Sequence, residues 1–222
     1  MIFPKQKTKS VYTNENSGPD WYRGNVHTRA VWVPWDDRAM RTMDDVLRQE
    51  LAAFRARTGK VALRVLEVGC ARSTHPDHEV GDGWSSLTLA RDAQKTDGSL
   101  AGIDLDTRAA AELIGSHGLT EEFFEGSSLD VLPELAAQGR TFDVIFLDSG
   151  NDPDLVLSEF ILSLRLIVRP GLLLADDMDQ KDPEVVKGVK LIPYLKDNGY
   201  AYRLTHRETP WSNRDILVMD FT

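Results

Sequence analysis

The sequence holds a single cysteine, Cys70, among 222 residues. An intrachain disulfide is excluded, and the chain suits a reducing compartment, so a cytoplasmic location is expected. No apolar run approaches the ~20 residues that a membrane helix needs. A basic excess is missing too: 26 Lys and Arg stand against 35 Asp and Glu, a net charge of −9. Such a chain repels phosphate backbones and anionic lipid, so neither nucleic acid nor a membrane surface is expected as a partner. The opening MIFPKQKTKS has no signal-peptide core. Internal repeats and low-complexity segments are also absent.

What is present suffices for one sizeable core, since 41% of the residues are hydrophobic. Residues 1–35 are polar and broken by Gly18, Pro19, Gly24 and Pro34, yet they carry Trp21, Tyr22, Trp32 and Trp35. Disordered tails are poor in aromatics, so this arm is expected to pack on something. Residues 36–222 are expected to form one domain. Its first helix starts at Asp36 or Asp37, with Met40, Met43, Leu47, Leu51 and Phe54 at helical spacing and Gly59 as its stop. Apolar runs then predict strands at Leu63–Val68, Leu100–Ile103, Val144–Leu147 and Leu172–Ala175. Between them, helices are predicted over Thr107–Ser116, Pro153–Val168 and Pro183–Lys196, the last two opening on Asp152-Pro153 and Asp182-Pro183. Tyr200–Leu204 and Asp215–Phe221 read as two strands joined by a turn around Pro210, an antiparallel edge. Continuous apolar strands alternating with helices imply a parallel sheet covered on both faces.

In such sheets ligands bind at the carboxyl ends of the strands. The first strand delivers Glu67-Val68-Gly69 there, followed by Cys70, Ala71, Arg72 and Ser73. This is not the G-x-G-x-x-G that seats a dinucleotide pyrophosphate, so NAD is disfavoured. An acid before the first glycine suits a cofactor with a cationic end; equally, Glu67 suits ordering of the loop. The second strand ends in Asp104, whose carboxylate can accept both hydroxyls of a ribose. Asp106 suits helix capping better.

Glu67-x-Gly69, Gly83-Trp84-Ser85 and Asp104 together resemble the S-adenosylmethionine pocket of class I methyltransferases. GSSLDVLPEL (126–135), FDVIFLDSGND (142–152) and LIVRPGLLLADDMD (166–179) are similar, in order and spacing, to segments of catechol O-methyltransferase and its cation-dependent relatives. The resemblance implies a doubly wound, Rossmann-like α/β fold with a seven-stranded sheet, mostly parallel with an antiparallel last strand. It implies that Glu67 and Gly69 face the methionine end of the cofactor, that Ser85 lies near its carboxylate, that Asp104 holds the ribose, that Gly126, Ser127 and Ser128 line the adenine, and that Asp148 also borders the cofactor. The gap between Gly69 and Gly83 is longer than in that family, which makes residues 70–82 an insertion where the substrate must arrive.

Asp148 ends the fourth strand and Asp176-Asp177 the fifth, so three carboxylates should meet at one rim and repel one another unless compensated. The resemblance implies that they bind a divalent cation, magnesium first, with manganese, calcium or iron as alternatives. Such a metal acidifies the substrate hydroxyl and aims its oxygen at the methyl group. Two residues depart from the family: Asp177 stands in place of an asparagine, and Asn151 replaces a lysine base. Lys181 is the nearest lysine along the chain. His75 and His78, in the inserted STHPDHEVGD, are candidates for the missing base or for metal ligands favouring zinc, iron or manganese, and equally for ordinary surface histidines.

The expected function is a metal-assisted O-methyltransferase that uses S-adenosylmethionine on a small-molecule hydroxyl, phenolic or in a natural product. Two alternatives stay open: a metal-independent N- or C-methyltransferase, and a non-catalytic nucleoside-binding module on the same fold. The aromatic arm either closes over a flat substrate or packs on the outer helices or on the second copy of a homodimer.

Overall fold

The computed structural model describes residues 42–75, 84–178, 185–208 and 213–222. The aromatic arm, Asp36, Asp37, His78, Lys181, Pro183 and Pro210 lie outside them.

Helix α1, Met43–Thr58, begins on a capping box in which Thr42 Oγ accepts the Asp45 N–H and the Asp45 carboxylate accepts the Thr42 N–H. It stops at Gly59, whose φ of 73° lies in the left-handed region that glycine enters at little cost. Thr42 is the N-cap of α1 among the described residues, and Asp36 and Asp37, the caps suggested by the sequence, lie outside them. β1 (Arg64–Val68), α2 (Ser85–Lys95), β2 (Ser99–Asp104), α3 (Arg108–Ser116), β3 (Glu122–Glu125) and α4 (Ser128–Ala137) follow. The second half comprises β4 (Phe142–Leu147), α5 (Pro153–Ser163), β5 (Ile167–Ala175), α6 (Gly188–Asp197), β6 (Arg203–Glu208) and β7 (Asn213–Phe221). No helix among the described residues is long and apolar enough to cross a membrane.

The seven strands form one sheet in the order β3-β2-β1-β4-β5-β7-β6. β3, β2, β1, β4 and β5 are parallel to one another, and β7 runs antiparallel to both β5 and β6. The fold is therefore the expected α/β, Rossmann-like sheet with an antiparallel last strand. The terminal strand pair forms the expected antiparallel edge, with β7 inside the sheet and β6 outermost, but its first strand is Arg203–Glu208 where the sequence suggested Tyr200–Leu204.

Alternate strand residues face opposite layers. Val65, Val144, Phe146, Leu172 and Leu174 pack with Leu47, Leu51 and Phe54 of α1 and Leu87 and Leu89 of α2. Leu66, Val68, Ile145, Leu147 and Leu173 pack with Leu132 of α4, Phe160 of α5 and Leu191 and Leu195 of α6. Burial on both sides is why these strands read as unbroken apolar runs. Phe54 and Phe160 are almost wholly buried, and each contributes roughly 2–3 kcal/mol by transfer from water.

Helix α5 ends at Ser163 and β5 starts at Ile167, so the predicted helix to Val168 is three residues of turn and the start of a strand. The helix tail and the strand head are both apolar, and their patterns merge. Pro170 sits within β5 after a cis Arg169–Pro170 peptide, where the pairing with β4 shifts register between Phe142 and Val144. Such an irregularity is where a strand tolerates proline.

Candidate active site

The chain leaves β1 outward through β2 and β3 and returns to β4 on the other side of β1. The carboxyl ends of β1 and β4 thus form the switch point at which such sheets bind ligands. Gly69 crosses that point with φ 87°, and a Cβ there would lie 2.3 Å from the Asp148 carbonyl oxygen. Its N–H donates to the Ile103 carbonyl at 2.9 Å, and the Asp148 N–H donates to the Val68 carbonyl at 2.7 Å. The loops after β1, β2 and β4 are thereby tied together at the sheet edge.

Glu67 is fully buried and accepts hydrogen bonds from Ser85 Oγ and Ser86 Oγ, one on each oxygen and each at 2.5 Å. Burial pushes its pKa up to about 8 against the two serine bonds, with Asp148 and Asp104 adding repulsion. Ser86, which the sequence reading did not single out, also accepts the Ala71 N–H at 2.9 Å. Glu67 therefore joins the first turn of α2 to the loop after β1. Cys70 is buried beside it, and its thiol pKa is pushed up by that burial and by Glu67.

At the end of β2, Asp104 Oδ2 accepts the Cys70 N–H at 2.8 Å and Oδ1 accepts the Asp106 N–H at 3.3 Å. Its carboxylate is held at the edge with a lone pair left on each oxygen. Asp106 accepts the Arg108 N–H at the start of α3, the capping role the sequence suggested. The Gly126 N–H donates to the Asp104 carbonyl at 2.8 Å, which brings the Gly126-Ser127-Ser128 turn beside Asp104. Ser127 is the N-cap of α4 and makes no side-chain cap bond. Ser128 Oγ donates instead to Glu159 of α5 at 2.5 Å, and Ser149 Oγ donates to the other Glu159 oxygen at 2.5 Å. Glu159 is fully buried, and its pKa is raised chiefly by that burial. Glu159 carries no motif signal, and Ser149, although within the segment 142–152, was not singled out; only the fold brings the two together at this corner.

β4 and β5 are neighbours, with Leu147 opposite Ala175, so Asp148, Asp176 and Asp177 do meet at one rim. The side chain of Lys187, just before α6, enters it. Its Nζ lies 2.8 Å from Asp148 Oδ1 and 4.0 Å from Asp177 Oδ2, and the lysine side chain is only 5% exposed. Burial works against the ammonium, but Asp148, Asp176 and Asp177 together outweigh it and raise its pKa above the lysine norm. Asn151, where the resemblance implied a lysine, accepts the Val186 N–H on Oδ1 at 3.1 Å and so fixes the segment that delivers Lys187.

The expectation that Asp148, Asp176 and Asp177 hold a divalent cation does not fit this geometry. The place such an ion would take against Asp148 Oδ1 is filled by an ammonium. Among the described residues, no group of three or more His, Cys, Asp or Glu is arranged to hold a metal. The sequence reading counted carboxylates and missed Lys187, which follows the Asp176-Asp177 pair but lies far along the chain from Asp148, because the intervening chain gave no spacing to judge. An uncompensated acid cluster with asparagine in place of the family lysine was the available signal. Of the two candidate histidines, His75 is exposed and its N–H donates to Ser73 Oγ at 3.1 Å. His78 lies outside the described residues.

A methyltransferase-domain family matches residues 78–178. No curated protein sequence matches the chain. Among solved structures, it is similar to the O-methyltransferase TomG from Streptomyces achromogenes, involved in tomaymycin synthesis and bound to S-adenosylmethionine. The two are 23% identical, with 79% of this chain and 80% of that one covered and a TM-score of 0.58. An O-methyltransferase from Bacillus cereus in complex with S-adenosylhomocysteine is 18% identical, covering 86% and 94% of the two chains at a TM-score of 0.57. The methyltransferase MycE of the mycinamycin pathway, in complex with magnesium, S-adenosylhomocysteine and mycinamycin VI, is 18% identical, covering 80% of this chain and 50% of that one at a TM-score of 0.52. Residues 78–178 thus match a methyltransferase-domain family, and the described residues carry a Rossmann-like α/β fold similar to that of these solved methyltransferases.

Proposed function

We propose that the chain transfers a methyl group from S-adenosylmethionine to a hydroxyl oxygen of a small molecule. The observation that carries this reading is the Asp104 carboxylate, pinned by two backbone N–H groups at the switch point with acceptor capacity left for a ribose diol. The Gly126–Ser127 turn beside it supplies backbone for the adenine. Gly69, Glu67 and Ser85 form the methionine end. Asp148 stands at the side where the sulfonium and the acceptor meet. The chain's contribution is alignment: the acceptor oxygen attacks the methyl carbon in line as the carbon–sulfur bond breaks, and no covalent enzyme intermediate is needed. The likeness to two O-methyltransferases supports the choice of a hydroxyl acceptor. With a net charge of −9, nucleic acid is a poor acceptor. A divalent metal is left out of this reading because Lys187 already fills the rim.

The test is calorimetry with S-adenosylmethionine, followed by transfer of labelled methyl to a panel of catechols, phenols and sugar hydroxyls. Tight binding with label in at least one hydroxyl product supports the proposal. Asp104→Ala should weaken binding by about 2 kcal/mol or more, the range for hydrogen bonds to a charged group. Unchanged affinity in a folded Asp104→Ala chain would overturn the cofactor placement. Tight binding with label only in nitrogen or carbon products would overturn the choice of acceptor.

A further inference from the structure

We propose that Lys187 is the resident cation of the carboxylate rim, so that the chain works without the divalent metal its sequence suggests. Three observations converge. The lysine is buried with its acids: its side chain is 5% exposed, against 19% for Asp148 and 27% for Asp177, and Asp176 is buried too. A lysine is carried into the interior only where charges pair with it, and here Asp148 bonds it directly while Asp177 lies within ion-pair distance. The chain is also held so as to deliver it, because the Asn151 amide oxygen fixes the Val186 N–H one residue before. Asparagine can do this as a neutral acceptor, whereas a lysine at 151 would bring a second positive charge to the same corner.

Ammonium and metal exclude each other at this rim. An ion on Asp148 Oδ1 would crowd an ammonium 2.8 Å from the same oxygen, with like charge. Lys187 acts through Asp148, whose carboxylate it orients, so it is a positioning residue. Covalent attachment makes the charge permanent. A metal site loads and empties with the ion concentration; this rim does not.

The experiment titrates Mn2+ and Mg2+ into chelator-stripped protein, reading heat and the paramagnetic signal of bound Mn2+. Wild-type protein should bind neither ion at the rim. Lys187→Ala should gain about one Mn2+ per chain and lose it again when Asp148→Ala is added. Lys187→Arg, which keeps the charge, should behave as wild type. Wild-type binding that Asp148→Ala abolishes would overturn the proposal, as would a folded Lys187→Ala chain that takes up no ion. Should Lys187→Ala fail to fold, the wild-type titration still decides. The activity arm rests on the methyl-transfer reading: wild-type turnover should stay within about twofold in excess chelator, and its loss, restored by Mg2+, would overturn the proposal. S-adenosylmethionine calorimetry separates the two failures, because it reads the cofactor site alone.

Discussion

Glu121, in the turn before β3, is a carboxylic acid in the wrong place for a charge. Both carboxylate oxygens are buried and have no hydrogen-bond partner. Burial, with added repulsion from Glu67, pushes its pKa from 4.5 up to about 9. The folded chain therefore holds a proton there that the unfolded chain has released. Between those two pH values the unfolded state binds fewer protons, so stability falls as pH rises; below 4.5 the penalty vanishes. At pH 7 the cost of recovering that proton is about 3 kcal/mol, taking 1.36 kcal/mol per pH unit. Glu121 is half-buried as a residue, and solvent screening reduces the figure to about 1–2 kcal/mol. Glu121→Gln keeps the shape of the protonated acid and removes the proton uptake. Urea unfolding of both chains at pH 5.5, 7 and 8.5 should show a variant advantage that grows with pH. Groups with no coupling to Glu121 behave alike in both chains and drop out of the difference. An advantage equal at all three pH values, or a variant less stable at pH 8.5, would refute the assignment of Glu121 as a buried neutral acid.

Two further outcomes are expected. Gly69→Ala combines a positive φ with a Cβ placed 2.3 Å from the Asp148 carbonyl, so it should lose at least about 3 kcal/mol of stability by denaturant titration; a loss below about 1 kcal/mol would show that the loop can shift. His75→Ala should leave kcat/KM and its pH profile nearly unchanged, because an exposed loop histidine lacks the placement a base needs; a drop of about 100-fold would identify it as the base after all.

What the sequence discloses here is local. Gly59 ends a helix because a left-handed residue is required there, and Asp152-Pro153 opens one because the carboxylate accepts the Asp154 and Leu155 N–H groups while proline needs no partner. Such features are decided within a few residues and are legible as pattern. β3 is not: EFFE is four residues long, exposed at its ends and half-buried between, and resembles a turn as much as an edge strand. α4 was visible as a motif without its helix. At the site, Glu67, Asp104 and Asp148 stand out because strand ends supply them in order. Ser86, Glu159 and Lys187 do not, since each acquires its partner from an element distant in the chain. The rim shows the cost of reading one side of an ion pair: the acids announce themselves by adjacency, whereas their lysine arrives through the packing of α6.

The placement of β7 has a bearing on how the domain is made. β6 is synthesised before β7 but has only β7 to pair with, and the free edge of β5 waits for the same strand. While β7 is still in the ribosome, β1 to β5 and their helices can assemble, but β6 has no sheet to join and the apolar edge at Leu172–Ala175 stays open. The nascent domain therefore carries an unpaired, strongly apolar strand from the synthesis of β5 until β7 follows it, the kind of edge on which chains associate wrongly. Closure is a single late event, in which one antiparallel strand completes two pairings at once. Slow release or scarce chaperone should be felt at that step before any other.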